Sequence, residues 1–168
     1  MAKFTITHEI NCNADTFWKV FFDRNFNENL YKESLGYVEF TITEQRETDS
    51  EIIRQALAKP KMDFPGPVAK LFGSGYRCTE VSRLAKSTKV WKVKLTPSTM
   101  ADKIREEGSM RLEPIGDSKV RRIANIEIEA KIFGVGGLIE STMEKTRRAE
   151  WDQSASYMNA WIAAGNAG

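Results

Sequence analysis

Histidine is almost missing from this chain. His8 is the only one among 168 residues, and there are just two cysteines, Cys12 and Cys78. One imidazole and two widely separated thiols cannot assemble a usual four-ligand zinc set, so no metal site and no cofactor is expected. A lone histidine on a strand with no positioned partner also argues against general-base chemistry, and no nucleophile constellation accompanies it. The catalytic set expected from the sequence is therefore empty. The two cysteines read as buried reduced thiols, which suits a reducing compartment. Long apolar runs are missing as well: no stretch reaches the ~20 residues of a membrane span. The opening Met-Ala-Lys-Phe-Thr-Ile has no apolar secretory core. A cytoplasmic protein is expected, with no transmembrane segment and with transient membrane contact left open. Charge of one sign is also lacking. With 25 basic and 23 acidic residues the net charge is +2, which offers no field for nucleic acid.

What is present is period-two patterning. Phe4, Ile6, His8 and Ile10 alternate with Thr5, Thr7 and Glu9 as in a half-buried strand. Asn13 can cap a helix whose buried face is Phe17, Val20 and Phe21. Asn25 and Glu28 form a capping-box-like start for a second short helix through Leu30, Tyr31 and Leu35, which Gly36 would end. Val38, Phe40 and Ile42 begin a hairpin whose polar turn is 47–50 and whose partner strand is 51–59. Prolines 60, 65 and 67 then interrupt the sheet, and 66–73 is expected to carry one or two helical turns. Four further strands are expected over 76–85, 89–96, 105–114 and 118–132. Glu106-Glu107 and the Glu127/Glu129 pair read as solvated, and so does the basic knot Lys145, Arg147 and Arg148.

The chain then turns through Phe133-Gly134-Val135-Gly136-Gly137 into a helical pattern over 138–162. The glycines lack the lysine-serine ending of a phosphate loop and read as a hinge. Two apolar stripes run along this helix: Leu138, Thr142, Ala149, Gln153, Tyr157 and Ala160, and beside them Ile139, Met143, Trp151, Ala155, Met158 and Ile162. Either could be plain core. The first is smaller and more polar, so it is the stripe expected to face a cavity. An α+β protein of mostly antiparallel sheet closed by one long helix follows, as a single domain over 1–168.

This order of elements resembles the START-like (helix-grip, SRPBCC) superfamily, which includes the birch-pollen-allergen proteins. The segment Phe17-Trp18-Lys19-Val20-Phe21-Phe22-Asp23, followed by Phe26, Leu30 and Tyr31, is similar to the opening of VASt sterol-transfer domains. It is also similar to an uncharacterised bacterial START-like family. That family has a proline segment before a short helix, as at 65–72, and a Gly-Gly-x-x-Glu helix opening, as at Gly136, Gly137 and Glu140. The resemblance implies a helix-grip fold: a curved antiparallel sheet of about six to seven strands, two short helices and a long C-terminal helix. It also implies a cavity for a hydrophobic small molecule or lipid, with isoprenoids and sterols among the ligand classes. Phe40, Ile42, Val93, Leu112, Ile126 and Ile128 would line one wall opposite Leu138 and Ala149, with Thr142, Gln153 and Tyr157 as the polar orienting groups. Phe64, Leu71 and Phe72, in the segment 61–75, would either lid the mouth or plug the core from one end. The alternatives are a cavity enzyme of the polyketide aromatase/cyclase kind and an interaction module with a filled cavity. The enzyme would be favoured by His8, Tyr157 or an acidic residue at the bottom of a pocket.

Overall fold

Alternation carried along seven segments builds one antiparallel sheet. The computed structural model describes residues 1–73 and 75–166. Its strands are β1 (Ala2–Ile10), β2 (Glu39–Glu47), β3 (Glu51–Lys59), β4 (Cys78–Ala85), β5 (Val90–Pro97), β6 (Ile104–Pro114) and β7 (Val120–Ala130). They lie in the order β1-β7-β6-β5-β4-β3-β2. Ser74, in the middle of the expected Gly-Ser-Gly turn, lies outside the described residues. Because side chains alternate across a strand, register decides which residues share a face. His8 pairs with Arg122, and Arg122 with Leu112. Glu106 pairs with Ile128 and with Leu95, and Leu95 with Glu80. These residues all belong to the sheet face that the last helix covers.

Between β1 and β2 lie α1 (Ala14–Phe21), α2 (Arg24–Glu28) and a π-helix, Asn29–Ser34. Asn13 caps α1 as expected, its Oδ1 accepting from the Thr16 amide at 2.9 Å. The cap of α2 is Asp23 rather than Asn25. Its carboxylate accepts from the Phe26 amide at 2.8 Å, three residues on, where an N-cap side chain reaches. Gly36 ends the unit at φ +70°, the left-handed conformation for which glycine is suited. Phe17, Phe21, Phe22 and Trp91 pack ring against ring, largely edge to face, and fix α1 to the sheet.

The segment after β3 contains α3 (Gly66–Ala69) and a 3₁₀ turn, Lys70–Phe72. Val68 and Phe72 are buried, and Phe72 stacks on Phe64 at 4.8 Å and meets Tyr76 at 5.3 Å. These residues join the core cluster of Phe4, Phe40 and Ile128. The segment is thus packed as a plug at one end of the core.

The last helix, α4 (Gly136–Ala163), lies against β1, β7 and the π-helix. Its Gly-Gly-x-x-Glu opening is a joint. A Cβ at position 136 would sit 2.3 Å from the Ala130 carbonyl oxygen, so only glycine lets the helix start that close to β7. Glu140 then accepts from the Ala130 amide at 2.8 Å and pairs with the Met1 ammonium at 2.7 Å. Both motif residues therefore serve the strand-to-helix turn.

Candidate functional site

Between the sheet, α4 and the π-helix lies a cavity of about 100 Å³. Its apolar wall includes Phe21, Phe26, Leu30, Leu35, Trp91, Val93, Leu95, Ile126 and Met158. Its polar wall is Tyr31, Tyr37, Glu80, Glu106, Arg122, Arg147, Glu150 and Ser154. So many ionisable groups around one small cavity is the feature that sets this interior apart from ordinary packing.

The charges form three assemblies. In the first, Arg147 binds two carboxylates. Its Nε and Nη2 donate to Glu106 at 2.5 and 3.1 Å, and its Nη1 donates to Glu150 at 2.8 Å and to the Tyr37 hydroxyl at 3.2 Å. Tyr37 in turn donates to the other oxygen of Glu150. Burial and the Glu150 charge push the Tyr37 phenol well above its ordinary pKa. Burial alone would lower the Arg147 pKa, but Glu106 and Glu150 outweigh it and hold the guanidinium well above its usual value. In the second, Arg54 Nη2 donates to Glu80 at 2.9 Å, and its Nη1 to the Phe21 carbonyl and Asn27 Oδ1, both at 3.3 Å. Tyr31 stacks on Phe40 at 3.9 Å. Its phenol pKa is raised by burial and by Glu80 and Glu150, the pull of Arg54 and Arg147 notwithstanding.

The third assembly is built differently. Arg122 Nη1 donates to Ser154 Oγ at 3.1 Å, and Nη2 to the Trp151 carbonyl at 2.8 Å and to His8 Nδ1 at 3.0 Å. Guanidinium only donates, so His8 Nδ1 must accept. The ring is then the neutral Nε2–H tautomer, donating to Asp152 Oδ1 at 2.7 Å. Burial and, less strongly, the Arg122 charge lower the His8 pKa, against the opposing pull of Asp152. Burial also pushes the Arg122 pKa down to about 9, which still leaves it charged at neutral pH. Its guanidinium lies 4.7 Å from the Trp151 ring centre.

Of the expected pocket residues, Val93 and Ile126 line this cavity. Phe40, Ile42, Leu112 and Ile128 share the covered sheet face without bordering it, Phe40 and Ile128 as buried core. Phe64 and Phe72 belong to the plug, and Leu71 is exposed. On α4 the expectation needs correction. Leu138, Ala149 and Gln153 are exposed, Thr142 is half-buried, and Tyr157 packs on Phe26 and Trp161 outside the cavity. Gln153 donates to Ser34 Oγ at 2.9 Å at the helix edge. The other stripe turns inward: Ile139, Met143 and Met158 are buried, with Arg147 among them. Arg147 and Glu106 are likewise corrected from solvated to buried. A period signal was available for them. Glu106 falls in phase with Ile104 and Met110, Arg122 with Val120 and Ala124, and Arg147 follows Ile139 and Met143 at four-residue steps. Leu30 and Tyr31 of the π-helix and Leu35 just after it line the cavity. A π-helical turn of this kind is common at functional sites.

Residues 5–162 match the family described as "Protein of unknown function (DUF2505)". The chain belongs to the DUF2505 family. None of the curated proteins matches this DUF2505 chain. Its fold is shared by TTHA0849 from Thermus thermophilus, at 13% identity and TM-score 0.70 over 98% of this chain and 99% of that one. The Zhui aromatase/cyclase from Streptomyces sp. R1128 is similar at 12% identity and TM-score 0.69, covering 96% and 95%. A START superfamily protein from Mycobacterium smegmatis is similar at 13% identity and TM-score 0.60, covering 96% and 97%. The fold of this DUF2505 member is the START-like helix-grip fold, as its resemblance implied. Among the described residues no helix is long and apolar enough to cross a membrane, and no group of His, Cys, Asp or Glu is placed to hold a metal ion.

Proposed function

We propose that the protein binds a small hydrophobic molecule with a polar group, in the cavity between sheet and α4. The observation that carries this reading is the ring of buried ion pairs around unfilled space. Buried ion pairs stabilise a fold poorly, because desolvation costs each ion several kcal/mol, and well-packed apolar residues serve a core as well or better. Charged groups held at such cost around a cavity are a mark of functional sites. The size of the cavity bounds the occupant. About 100 Å³ falls below the ~300–1,000 Å³ of pockets for drug-sized ligands. A single-ring compound is matched to this volume, and a sterol-sized or isoprenoid ligand would require the cavity to widen. Native mass spectrometry of the purified protein, followed by organic extraction, tests the reading. A retained small molecule released on denaturation supports it; no retained mass and no uptake from a panel of hydrophobic compounds counts against it.

A second reading is catalysis in the same cavity, as the name of the Zhui aromatase/cyclase describes for that protein. Acidic residues Glu80, Glu106 and Glu150 at the wall favour it. Each of the three, however, is already paired with Arg54 or Arg147, and Glu107, which also lines the cavity, pairs with Arg105. Recovery of the extracted ligand unchanged after prolonged incubation separates binding from turnover.

A further inference from the structure

We propose that Arg122 anchors an anionic oxygen group of the cavity's occupant, making the preferred ligand a small organic anion such as a carboxylate. This rests on the ligand-binding reading and assigns the chemistry of its polar end.

Three guanidinium groups are buried on the covered side of the sheet, at Arg54, Arg122 and Arg147. Arg54 and Arg147 each bond directly to a buried carboxylate. Arg122 is as buried, at 2% exposure, yet its hydrogen-bond partners are a hydroxyl, a carbonyl and a neutral imidazole. Asp152 lies on the far side of the His8 ring, and its side chain is 70% exposed. A buried cation without a paired anion is the costly arrangement. Arg122 also borders the cavity, and its Nε has no partner among the described residues. Trp91 is the other cavity-lining residue with an unpartnered buried polar atom, and its Nε1–H is again a donor. The unmet capacity of these two buried atoms is of the donating kind. It calls for an acceptor, and the charge of Arg122 makes an anionic acceptor the strongest match. Of the cavity carboxylates, Glu80 is bonded through Oε1 to Arg54, Glu106 and Glu150 to Arg147, and Glu107 to Arg105. Ser154, the Trp151 carbonyl and His8 hold the guanidinium in place, so little ordering is lost when a ligand binds.

Single-ring probes test the idea: benzoate, benzyl alcohol and benzylammonium, titrated into the protein at pH 7 with amide chemical shifts as the readout. Benzoate is expected to bind at least about tenfold tighter than benzyl alcohol, and benzylammonium weakest, with shifts at Trp151 and Ser154. Arg122→Gln should remove the preference for benzoate over benzyl alcohol, while Arg122→Lys should keep part of it. If Arg122→Gln does not fold, the wild-type order of the three probes and the Lys variant decide. Benzoate binding no tighter than benzyl alcohol, with both bound in the cavity, overturns the anchor and leaves the ligand-binding reading standing. Failure of all three probes to bind removes that reading and the anchor with it.

Discussion

Replacing Arg147 by methionine should destabilise the protein more than any single change on its surface. Arg147 holds Glu106 through two hydrogen bonds and Glu150 through a third, with side-chain exposures of 7%, 2% and 15% for the three residues. Methionine keeps much of the volume and removes the cation, leaving the Glu106 and Glu150 carboxylates on the cavity wall without their partner. Breaking a buried pair by removing one partner costs about 3–5 kcal/mol, whereas an exposed pair is worth about 0–1 kcal/mol. Two stranded carboxylates place Arg147→Met at about 4–5 kcal/mol at pH 7, a large part of the ~5–15 kcal/mol that a domain has. For a chain of this size that is a fall in Tm of roughly 8–20 °C. Urea unfolding at pH 7 is the assay. Replacing the whole assembly, Arg147→Met with Glu106→Leu and Glu150→Leu, should restore most of the loss while destroying the polar wall. A loss below about 1 kcal/mol in Arg147→Met would mean that this side chain is solvated, and would refute the description of the cavity.

Lowering pH probes His8. Its folded pKa lies below the unfolded 6.5, so the unfolded chain binds more protons between those values and stability falls as pH drops below 6.5; His8→Gln should flatten that part of the profile in thermal melts between pH 7 and 5. Gly136→Ala places a Cβ 2.3 Å from the Ala130 carbonyl oxygen and must push α4 off β7, so a clear drop in Tm is expected, whereas Gly137→Ala, with open space around its Cβ position, should be mild. Cys12 and Cys78 are buried and free, with thiol pKa values pushed up by burial to about 11 and about 12; neither should react with a thiol reagent at pH 8 until the protein is unfolded.

Much of the fold was legible because alternation and punctuation agreed. The hairpin through 47–50, the Asn13 cap, the helical turns after Pro65 and the long closing helix all stand within two or three residues of their expected bounds. The site was less legible, for a physical reason. Sequence reading assigns charges to solvent, and here Glu106, Arg122 and Arg147 lie among apolar residues of the same phase. Alternation correctly turned Glu127 and Glu129 away from Ile126 and Ile128; applied to Glu106 it points inward with Ile104. On α4 the charge at 147 masks the inward stripe, so the smaller stripe through Ala149 and Gln153 was favoured. The pairing of carboxylates and guanidiniums across β3, β4, β6 and α4 is a long-range property that no local pattern carries.

The most direct test of the central claim is a chemical-shift titration with benzyl alcohol of the wild-type protein and of Val93→Phe, whose added ring enters the cavity from the sheet side. Saturable shifts confined to Tyr31, Leu35, Val93, Ile126 and Trp151 in the wild type, lost in a folded Val93→Phe protein, are the predicted result. Absence of saturable shifts in the wild type, or shifts that persist unchanged in Val93→Phe, would contradict a ligand cavity between the sheet and α4.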